Sequence, residues 1–349
     1  MERGAEEAAT CLLVLENKLL ATAARTLPAG PVDGIRFVPF SPGCSAADQP
    51  RCDAVLHRAM YDLALSPASA AATERLALLR ELEARGIALE PLASVERFAD
   101  RGALCRMLAR IDGVRQPRFV EVRNEGASVA GAAASAGLRF PLLCKPLLAS
   151  GPASSHDLAI VLHEAGLDGI DAPVLLQEYV PHGGKLIKAY CVGGRAHVAE
   201  RASLPDLRAT RQPPAILRFN SHQPLPRAHE LAHAVVPAET PAETPAKTPA
   251  ETAELGAELR TRASRLVVWL AERIGLKLLG VDLIVARDGG GEPRDGELLI
   301  VDVNYFPSGA ATKFPDAPEA LASFVRGLID SHASLHASSD VRLSDDRNE

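Results

Sequence analysis

The chain has 349 residues, 47% hydrophobic and 23% charged, which is typical of a globular protein with two or three packed subdomains. Its formal net charge of −6 argues against a general nucleic-acid or membrane-surface binder, although a local basic cleft is compatible with it. The six cysteines form no CxxC pair and no Cys/His cluster. We therefore expect buried thiols in a reducing compartment, with neither a zinc site nor a disulfide framework.

The chain also lacks the sequence features of membrane insertion. No apolar run approaches the roughly 18–20 residues of a membrane span, and the first residues are acidic where a signal peptide is basic. We expect a monomer in the cytoplasm or the nucleus that binds neither nucleic acid nor membrane.

The first hundred residues alternate between strand and helix patterns. Short apolar runs predict strands at 11–15, 35–40 and 53–57. Two helical patterns follow them, one at 71–86 and one that starts at Asp100, which is a good N-cap residue. The alternation predicts a small open α/β domain over residues 10–98.

From residue 117 the pattern is rich in strands. The repeat PAET-PAET-PAKT-PAET at 237–252 has a Pro in every tetrad, so it predicts a solvated loop insertion. An amphipathic helix follows, then two strands joined by a Gly-rich turn, and we expect a polar tail from 336 to 349. The predicted strands are 117–122, 140–147, 172–180, a hairpin at 185–200 that turns at Gly193-Gly194, 278–286 and 297–304.

Two acidic residues interrupt the last two apolar strands. Asp282 lies in GVDLIVA, and Asp302 lies two residues before Asn304 in LLIVDVN. Because side chains alternate along a strand, Asp302 and Asn304 share a face, and a hairpin would bring Asp282 to it. These oxygens predict a Mg²⁺ site, while a buried ion pair or an exposed strand face are the alternatives.

Two lysines stand in similarly apolar surroundings. Lys145 ends the strand FPLLCK, and Lys188 follows the Gly-Gly turn of HGGKLIK. Each either reaches the surface or meets a phosphate, because a buried unpaired ammonium is costly. Gln177 and Glu178 end the strand before that turn, where free backbone groups can pair with an adenine edge.

Taken jointly, these motifs resemble the inositol 1,3,4-trisphosphate 5/6-kinase family, also called inositol-tetrakisphosphate 1-kinases. The similarity covers roughly residues 10–330 without the PAET insertion. It implies an ATP-grasp fold of class α+β or α/β, in which two lobes enclose ATP. The stretches that carry it are DAVLHRAMYDL, ADRGALCRML, FPLLCKPLLASGPASSHDLAIV, LLQEYVPHGGKLIKAYCVGG, RASLPDL, GVDLIVA and IVDVNYFPSG.

The resemblance also implies a domain organisation. Residues 10–98 would form a Rossmann-like domain, and 99–116 a helical linker. A central ATP-grasp lobe would span 117–192, and a C-terminal lobe 193–335.

The family pattern assigns roles residue by residue. It implies ATP and inositol polyphosphates as substrates and two Mg²⁺ ions. Lys145, Lys188 and His156 would take part in catalysis. The ATP-binding residues would be Arg101, Lys145, Gln177, Glu178, Val180, Lys188, Ser203 and Ser221. Asp282, Asp302 and Asn304 would bind Mg²⁺, while Lys18, Arg58, His156, Lys188, Asn304 and Ser308 would bind the inositol phosphate.

Several alternatives accompany these roles. Arg58 and Ser308 depart from the Lys and Gly usual in the family, which leaves the phosphorylated position open. His156 could instead be a surface residue that caps a following helix, and Lys18 a solvated lysine at a helix start. The whole chain could be an ATP-grasp carboxylate–amine ligase or a non-catalytic nucleotide-binding scaffold.

Overall fold

The computed structural model describes residues 8–66, 68–226, 230–236, 256–288, 293–306 and 316–345. The predicted loop insertion at 237–252 and the predicted inositol-phosphate ligand Ser308 lie outside these ranges. Within them, strands form three sheets, and helices cover or connect the sheets.

The N-terminal sheet is parallel and has three strands in the order β2-β1-β3. β1 and β3 are almost entirely buried, as expected of parallel strands covered on both faces. The open α/β arrangement predicted for this part is confirmed. The strands are β1 Ala9–Val14, β2 Ile35–Pro39 and β3 Ala54–His57.

Five helices accompany this sheet and link it to the next. The last, α5, begins where the sequence predicts, because the Asp100 carboxylate accepts a hydrogen bond from the Ala103 N–H at 2.6 Å. The five are α1 Asn17–Thr26, α2 Ala59–Leu65, α3 Ala70–Ala84, α4 Leu92–Glu96 and α5 Arg101–Ala109.

The central sheet is antiparallel, with the strand order β10-β6-β5-β7-β4. A short helix, α6 (Val129–Ser135), packs beside β4. The strands are β4 Phe119–Val122, β5 Leu142–Pro146, β6 Asp157–Val161, β7 Val174–Glu178 and β10 Ile216–Asn220.

The C-terminal sheet is also antiparallel, in the order β12-β11-β8-β9. The predicted hairpin turn at Gly193-Gly194 joins β8 to β9, and α7 (Ala257–Ile274) packs on these strands. The strands are β8 Lys185–Val192, β9 Arg195–Ala202, β11 Leu278–Arg287 and β12 Pro293–Tyr305.

Sheet membership differs from the lobe boundaries expected from the sequence. A boundary at residue 192 falls in the β8–β9 turn, inside one sheet, because β8 pairs with β9 and β11. β10, which the boundary assigns to the C-terminal lobe, pairs with β6 of the central sheet. Chain order does not separate the lobes, because strands find partners by long-range pairing.

The packing defines two bodies. One continuous core joins the N-terminal sheet, the C-terminal sheet, α7 and α8, whereas the central sheet has its own apolar clusters. α8 (Ala317–Asp345) continues past residue 336, so the segment expected as a polar tail is helical as far as Asp345. All six cysteines are free thiols, and four of them are buried as expected, but Cys44 is exposed and Cys52 is only partly buried. None of the helices in the described ranges combines the length and apolarity needed to cross a bilayer.

Candidate active site

A cavity of about 490 Å³ lies between the central sheet and the C-terminal sheet. Strands of both sheets contribute polar side chains to its wall, as does the segment after β9. The predicted site residues that line it are Arg101, Lys145, His156, Gln177, Glu178, Val180, Lys188, Ser203, Ser221, Asp282, Asp302 and Asn304. Residues predicted from seven separate stretches of sequence therefore share one cavity.

The two acidic residues face each other across the β11–β12 hairpin. Asp282 is the direct cross-strand partner of Asp302, and the Asn304 amide donates to the Asp302 carboxylate at 3.0 Å. All three line the cavity, so the alternative of an exposed strand face is wrong. The ion-pair alternative holds for Asp282, whose carboxylate oxygens lie 2.8 and 2.9 Å from the Lys188 ammonium.

The donor set fits a hard cation. Two carboxylates and an amide oxygen are ligands that Mg²⁺ accepts when phosphate oxygens and water complete its shell. Across the described part of the chain, no group of three or more His, Cys, Asp or Glu side chains is arranged to bind a metal. A Mg²⁺ ion here would thus depend on Asn304 and on a bound nucleotide. Burial raises the pKa of Asp282, and Lys188 opposes that effect.

Lys145 links the two bodies beside these carboxylates. Its side chain is 7% exposed, and its ammonium donates to the Val301 carbonyl of β12 at 2.9 Å, so it does not reach the surface. Burial lowers the pKa of Lys145, while Asp302 opposes this by stabilising the charged form. The ammonium therefore lies where a phosphate beside Asp302 would meet it.

Arg101 is held by backbone carbonyls of the loop that follows β5. Its guanidinium donates to the Pro146 and Leu148 carbonyls at 2.7 and 2.9 Å, and to the Ser155 carbonyl at 3.1 Å. These contacts fix the loop that leads to His156. The predicted phosphate contact of Arg101 remains a prediction.

The end of β7 is held by side chains that the sequence does not single out. The buried Glu178 carboxylate accepts from the Arg139 backbone N–H at 2.9 Å and from its guanidinium at 3.2 Å. The Arg118 guanidinium lies 3.5 Å from the same Glu178 carboxylate and adds a second positive charge beside it. Because the Glu178 N–H donates to the Arg118 carbonyl at 2.8 Å, the predicted adenine contact of Glu178 depends on its carbonyl.

A second group of side chains gathers at the other end of the cavity. His156 stacks on His222 with 3.5 Å between ring centroids. Burial lowers the pKa of His156 to about 4, and the charges of Arg101 and Arg58 act in the same direction. The strand β6 follows His156 directly, so the helix-cap alternative is wrong.

The predicted basic residues from the N-terminal domain lie near this end. Arg58, at the start of α2, pairs with Glu16 at 2.6 Å. Lys18 is exposed in the first turn of α1, where its charge lowers the pKa of His222 together with burial and Arg58. Neither Lys18 nor Arg58 lines the cavity itself, and their predicted phosphate contacts remain predictions.

Comparison with known proteins identifies the family. Residues 109–326 match the model of the inositol 1,3,4-trisphosphate 5/6-kinase ATP-grasp domain. The chain belongs to this family. Among its curated relatives, inositol-tetrakisphosphate 1-kinase 4 of Oryza sativa subsp. indica is 33% identical over 85% of this chain and 77% of its own length. Inositol-tetrakisphosphate 1-kinase 3 of Arabidopsis thaliana is 29% identical over 72% and 67%.

Solved structures support the ATP-grasp fold of this kinase-family member. A D-alanine–D-alanine ligase from Bacillus anthracis, complexed with ATP, has a TM-score of 0.56 and 15% identity, and the match covers 93% of this chain and 98% of the ligase. The corresponding ligase from Coxiella burnetii has a TM-score of 0.60 and 11% identity over 98% and 100%. At such low identity the likeness shows the fold alone.

Sequence reasoning missed several residues of the site. His182 lies within the quoted stretch LLQEYVPHGGKLIKAYCVGG, and His222 directly follows the predicted Ser221, so a search for polar residues in and beside the motifs would have found both. Glu16, Arg118 and Arg139 had no such signal, because each acts through a contact with a residue 39 or more positions away. The Arg118 contact with Glu178 depends likewise on the pairing of β4 with β7.

Proposed function

We propose that this chain is a Mg²⁺- and ATP-dependent kinase that transfers the γ-phosphate to a hydroxyl of an inositol tris- or tetrakisphosphate. The observation that carries the proposal is the Asp282–Asp302 pair, which faces a cavity that also holds Lys145 and Lys188. Curated relatives named as inositol-tetrakisphosphate 1-kinases support the choice of acceptor.

In the proposed reaction the acceptor hydroxyl oxygen bonds to the γ-phosphorus. The bond from that phosphorus to the β–γ bridging oxygen breaks, and ADP leaves with the electron pair. This chemistry needs chiefly in-line positioning and neutralisation of negative charge. Lys145 and Lys188 supply positive charge to the phosphates, and the neutral imidazole of His156 can accept the hydroxyl proton.

The metal ligands of the proposal are Asp282, Asp302 and Asn304, which would hold up to two Mg²⁺ ions. Bound there, Mg²⁺ would neutralise the β- and γ-phosphate oxygens. The nucleoside would lie toward Gln177, Glu178, Val180 and Ser203, with Arg101 and Ser221 completing the ATP site.

The acceptor side of the proposal uses the basic end of the cavity. Lys18, Arg58, His156 and Lys188 would bind the phosphates of the inositol, with Asn304 and Ser308 beside them. The three cations of this group, Lys18, Arg58 and Lys188, can bind such a polyanion even though the formal net charge of the chain is −6. Six free thiols support a cytoplasmic or nuclear location, and we propose that the enzyme acts as a monomer.

Product analysis tests the proposed function. Purified protein with Mg-ATP is incubated with individual inositol tris- and tetrakisphosphates, and the products are resolved by isomer. We expect one added phosphate with no amine present. Asp302→Asn should lower turnover by about 100-fold or more, because it removes charge that binds the metal. Asp171→Asn, an exposed carboxylate outside the cavity, should keep the wild-type rate.

Two results would redirect the proposal. Turnover that requires a carboxylate and an amine, with no inositol phosphorylated, would identify an ATP-grasp ligase. Saturating Mg-ATP should add about 3 kcal/mol to the unfolding free energy at a hundred times its dissociation constant. A chain that Mg-ATP stabilises but that phosphorylates no acceptor would be a nucleotide-binding scaffold, and a chain that shows neither stabilisation nor turnover would refute the kinase proposal.

A further inference from the structure

His182 is a buried histidine between the end of β7 and the segment that carries Ser203. Its side chain is 5% exposed, and both ring nitrogens have partners. Nδ1 lies 2.8 Å from the Val180 carbonyl oxygen, and Nε2 lies 2.9 Å from the Ser203 Oγ. The backbone N–H of His182 donates to the Asp206 carboxylate at 2.6 Å. The orientation of the ring is therefore set from three sides.

These contacts determine where the hydrogens lie. A carbonyl oxygen only accepts, so Nδ1 carries a hydrogen and donates it to Val180. In the neutral ring Nε2 has only a lone pair, so the Ser203 hydroxyl must donate its single hydrogen to it. Burial lowers the pKa of His182, and Arg287 acts in the same direction. The Val180 hydrogen bond and Asp206 oppose this shift without reversing it, so the ring is neutral at pH 7.

Neighbouring hydrogen bonds keep the two segments in register. The Tyr179 hydroxyl donates to the Pro205 carbonyl at 2.8 Å, and the Ser203 N–H donates to the Gly184 carbonyl at 2.8 Å. The Gly183 N–H donates to Asp206 at 2.8 Å. Ser203 consequently cannot move away from His182 without breaking several contacts at once.

We propose that His182 is a positioning residue that makes the Ser203 hydroxyl an obligate hydrogen-bond acceptor toward the nucleotide. The hydrogen of that hydroxyl is committed to His182, while the oxygen lone pairs are available to the cavity that Ser203 lines. Triphosphate oxygens accept and do not donate. Ser203 therefore selects a donor of the nucleoside, either a ribose hydroxyl or the 6-amino group of adenine. The inference rests on ATP being the nucleotide of the proposed function.

Calorimetric binding of ATP analogues tests this selection. The probes are Mg²⁺ complexes of ATP, purine riboside triphosphate, 2′-deoxy-ATP and 3′-deoxy-ATP, of which the last three each lack one donor. The wild-type protein should bind the analogue that lacks the donor for Ser203 about 5- to 10-fold more weakly than ATP, which is the loss expected for one hydrogen bond. The donor is the group whose removal weakens binding in the wild type but not in Ser203→Ala, because the 6-amino group can also donate to the Glu178 carbonyl and that loss would appear in both proteins. Ser203→Ala should bind ATP more weakly by the same factor and lose nothing further with that analogue.

Two substitutions of His182 separate its two hydrogen bonds. His182→Asn keeps a donor near the Nδ1 position but removes the acceptor at the Nε2 position, so the Ser203 hydroxyl rotates freely. The ratio of the affinity for ATP to that for the weakened analogue should then fall to about 2-fold. His182→Gln places a carbonyl oxygen near the Nε2 position, so discrimination should return. His163→Asn, outside the cavity, is the matched control and should discriminate as the wild type does.

The outcomes distinguish this inference from the proposed function. If each analogue loses the same affinity relative to ATP in the wild type as in Ser203→Ala, the inference is overturned. The kinase proposal would still stand in that case, provided that the wild type binds ATP and turns it over. Unchanged discrimination in both His182 variants would also overturn it. A wild-type protein that fails to bind Mg-ATP would refute both. The analogue series on the wild type and Ser203→Ala remains decisive if a His182 variant does not fold.

Discussion

Glu90 provides the sharpest stability prediction, because it is a buried carboxylate between the N-terminal domain and the C-terminal sheet. Its side chain is 4% exposed, and its carboxylate accepts from the Lys277 N–H. Its backbone carbonyl contacts the His57 Nε2 at 2.8 Å. Burial raises the pKa of Glu90 from 4.5 to about 7, although hydrogen bonds from Lys277 and Tyr305 oppose the shift.

The raised pKa has a definite consequence for stability. Between pH 4.5 and about 7 the folded chain holds a proton on Glu90 that the unfolded chain has released. The free energy of unfolding is therefore undiminished by Glu90 below pH 4.5. It falls as the pH rises through this window, by about 1.4 kcal/mol per pH unit. Over the whole window Glu90 should cost about 3 kcal/mol.

Urea unfolding of the wild type and Glu90→Gln at pH 5 and pH 7.5 measures this effect. Glutamine keeps the acceptor for Lys277 but cannot ionise. The stability of the wild type relative to Glu90→Gln should fall by roughly 2 kcal/mol between the two pH values. Glu96→Gln, an exposed control, should show no such change. Identical pH dependence of the wild type and Glu90→Gln would refute the argument.

Three further predictions concern the cavity. Arg101→Lys removes guanidinium N–H groups that donate to carbonyls of the loop after β5, so urea titration should show that the free energy of unfolding falls by about 2 kcal/mol. Unchanged stability would contradict the role of Arg101 in holding that loop. Lys188→Ala leaves the part-buried Asp282 carboxylate without its partner, so it should lower the free energy of unfolding by about 1–2 kcal/mol and weaken both ATP and inositol phosphate binding in calorimetry. A change in stability alone would make Lys188 structural. Because the pKa of His156 is lowered to about 4, kcat/KM for the acceptor should not change between pH 6 and 8 through titration of His156. A change in kcat/KM centred near pH 6.5, the ordinary histidine value, that is lost in a His156 variant would contradict this.

Much of the architecture was predictable because it depends on local patterns. Alternation along a strand places Asp302 and Asn304 on one face, and the antiparallel pairing of β11 with β12 brings Asp282 opposite Asp302. The capping signal at Asp100 locates α5 in the same way. Such inferences need only a few neighbouring residues, and they gave the acidic centre of the candidate site directly.

The partners of polar side chains could not be predicted in this way. Lys145 contacts Val301, 156 positions away, and whether that lysine was buried or exposed depended on how the two sheets meet. β8 and β10 join sheets on opposite sides of the predicted boundary.

The hydrogen-bond polarity of Ser203 depends on His182, 21 positions earlier. Periodicity and motifs are properties of short segments, so they can be recognised in the amino-acid sequence alone. Burial and hydrogen-bond partnership arise only when distant segments pack, and they decide which charges are compensated and which groups remain free for a ligand.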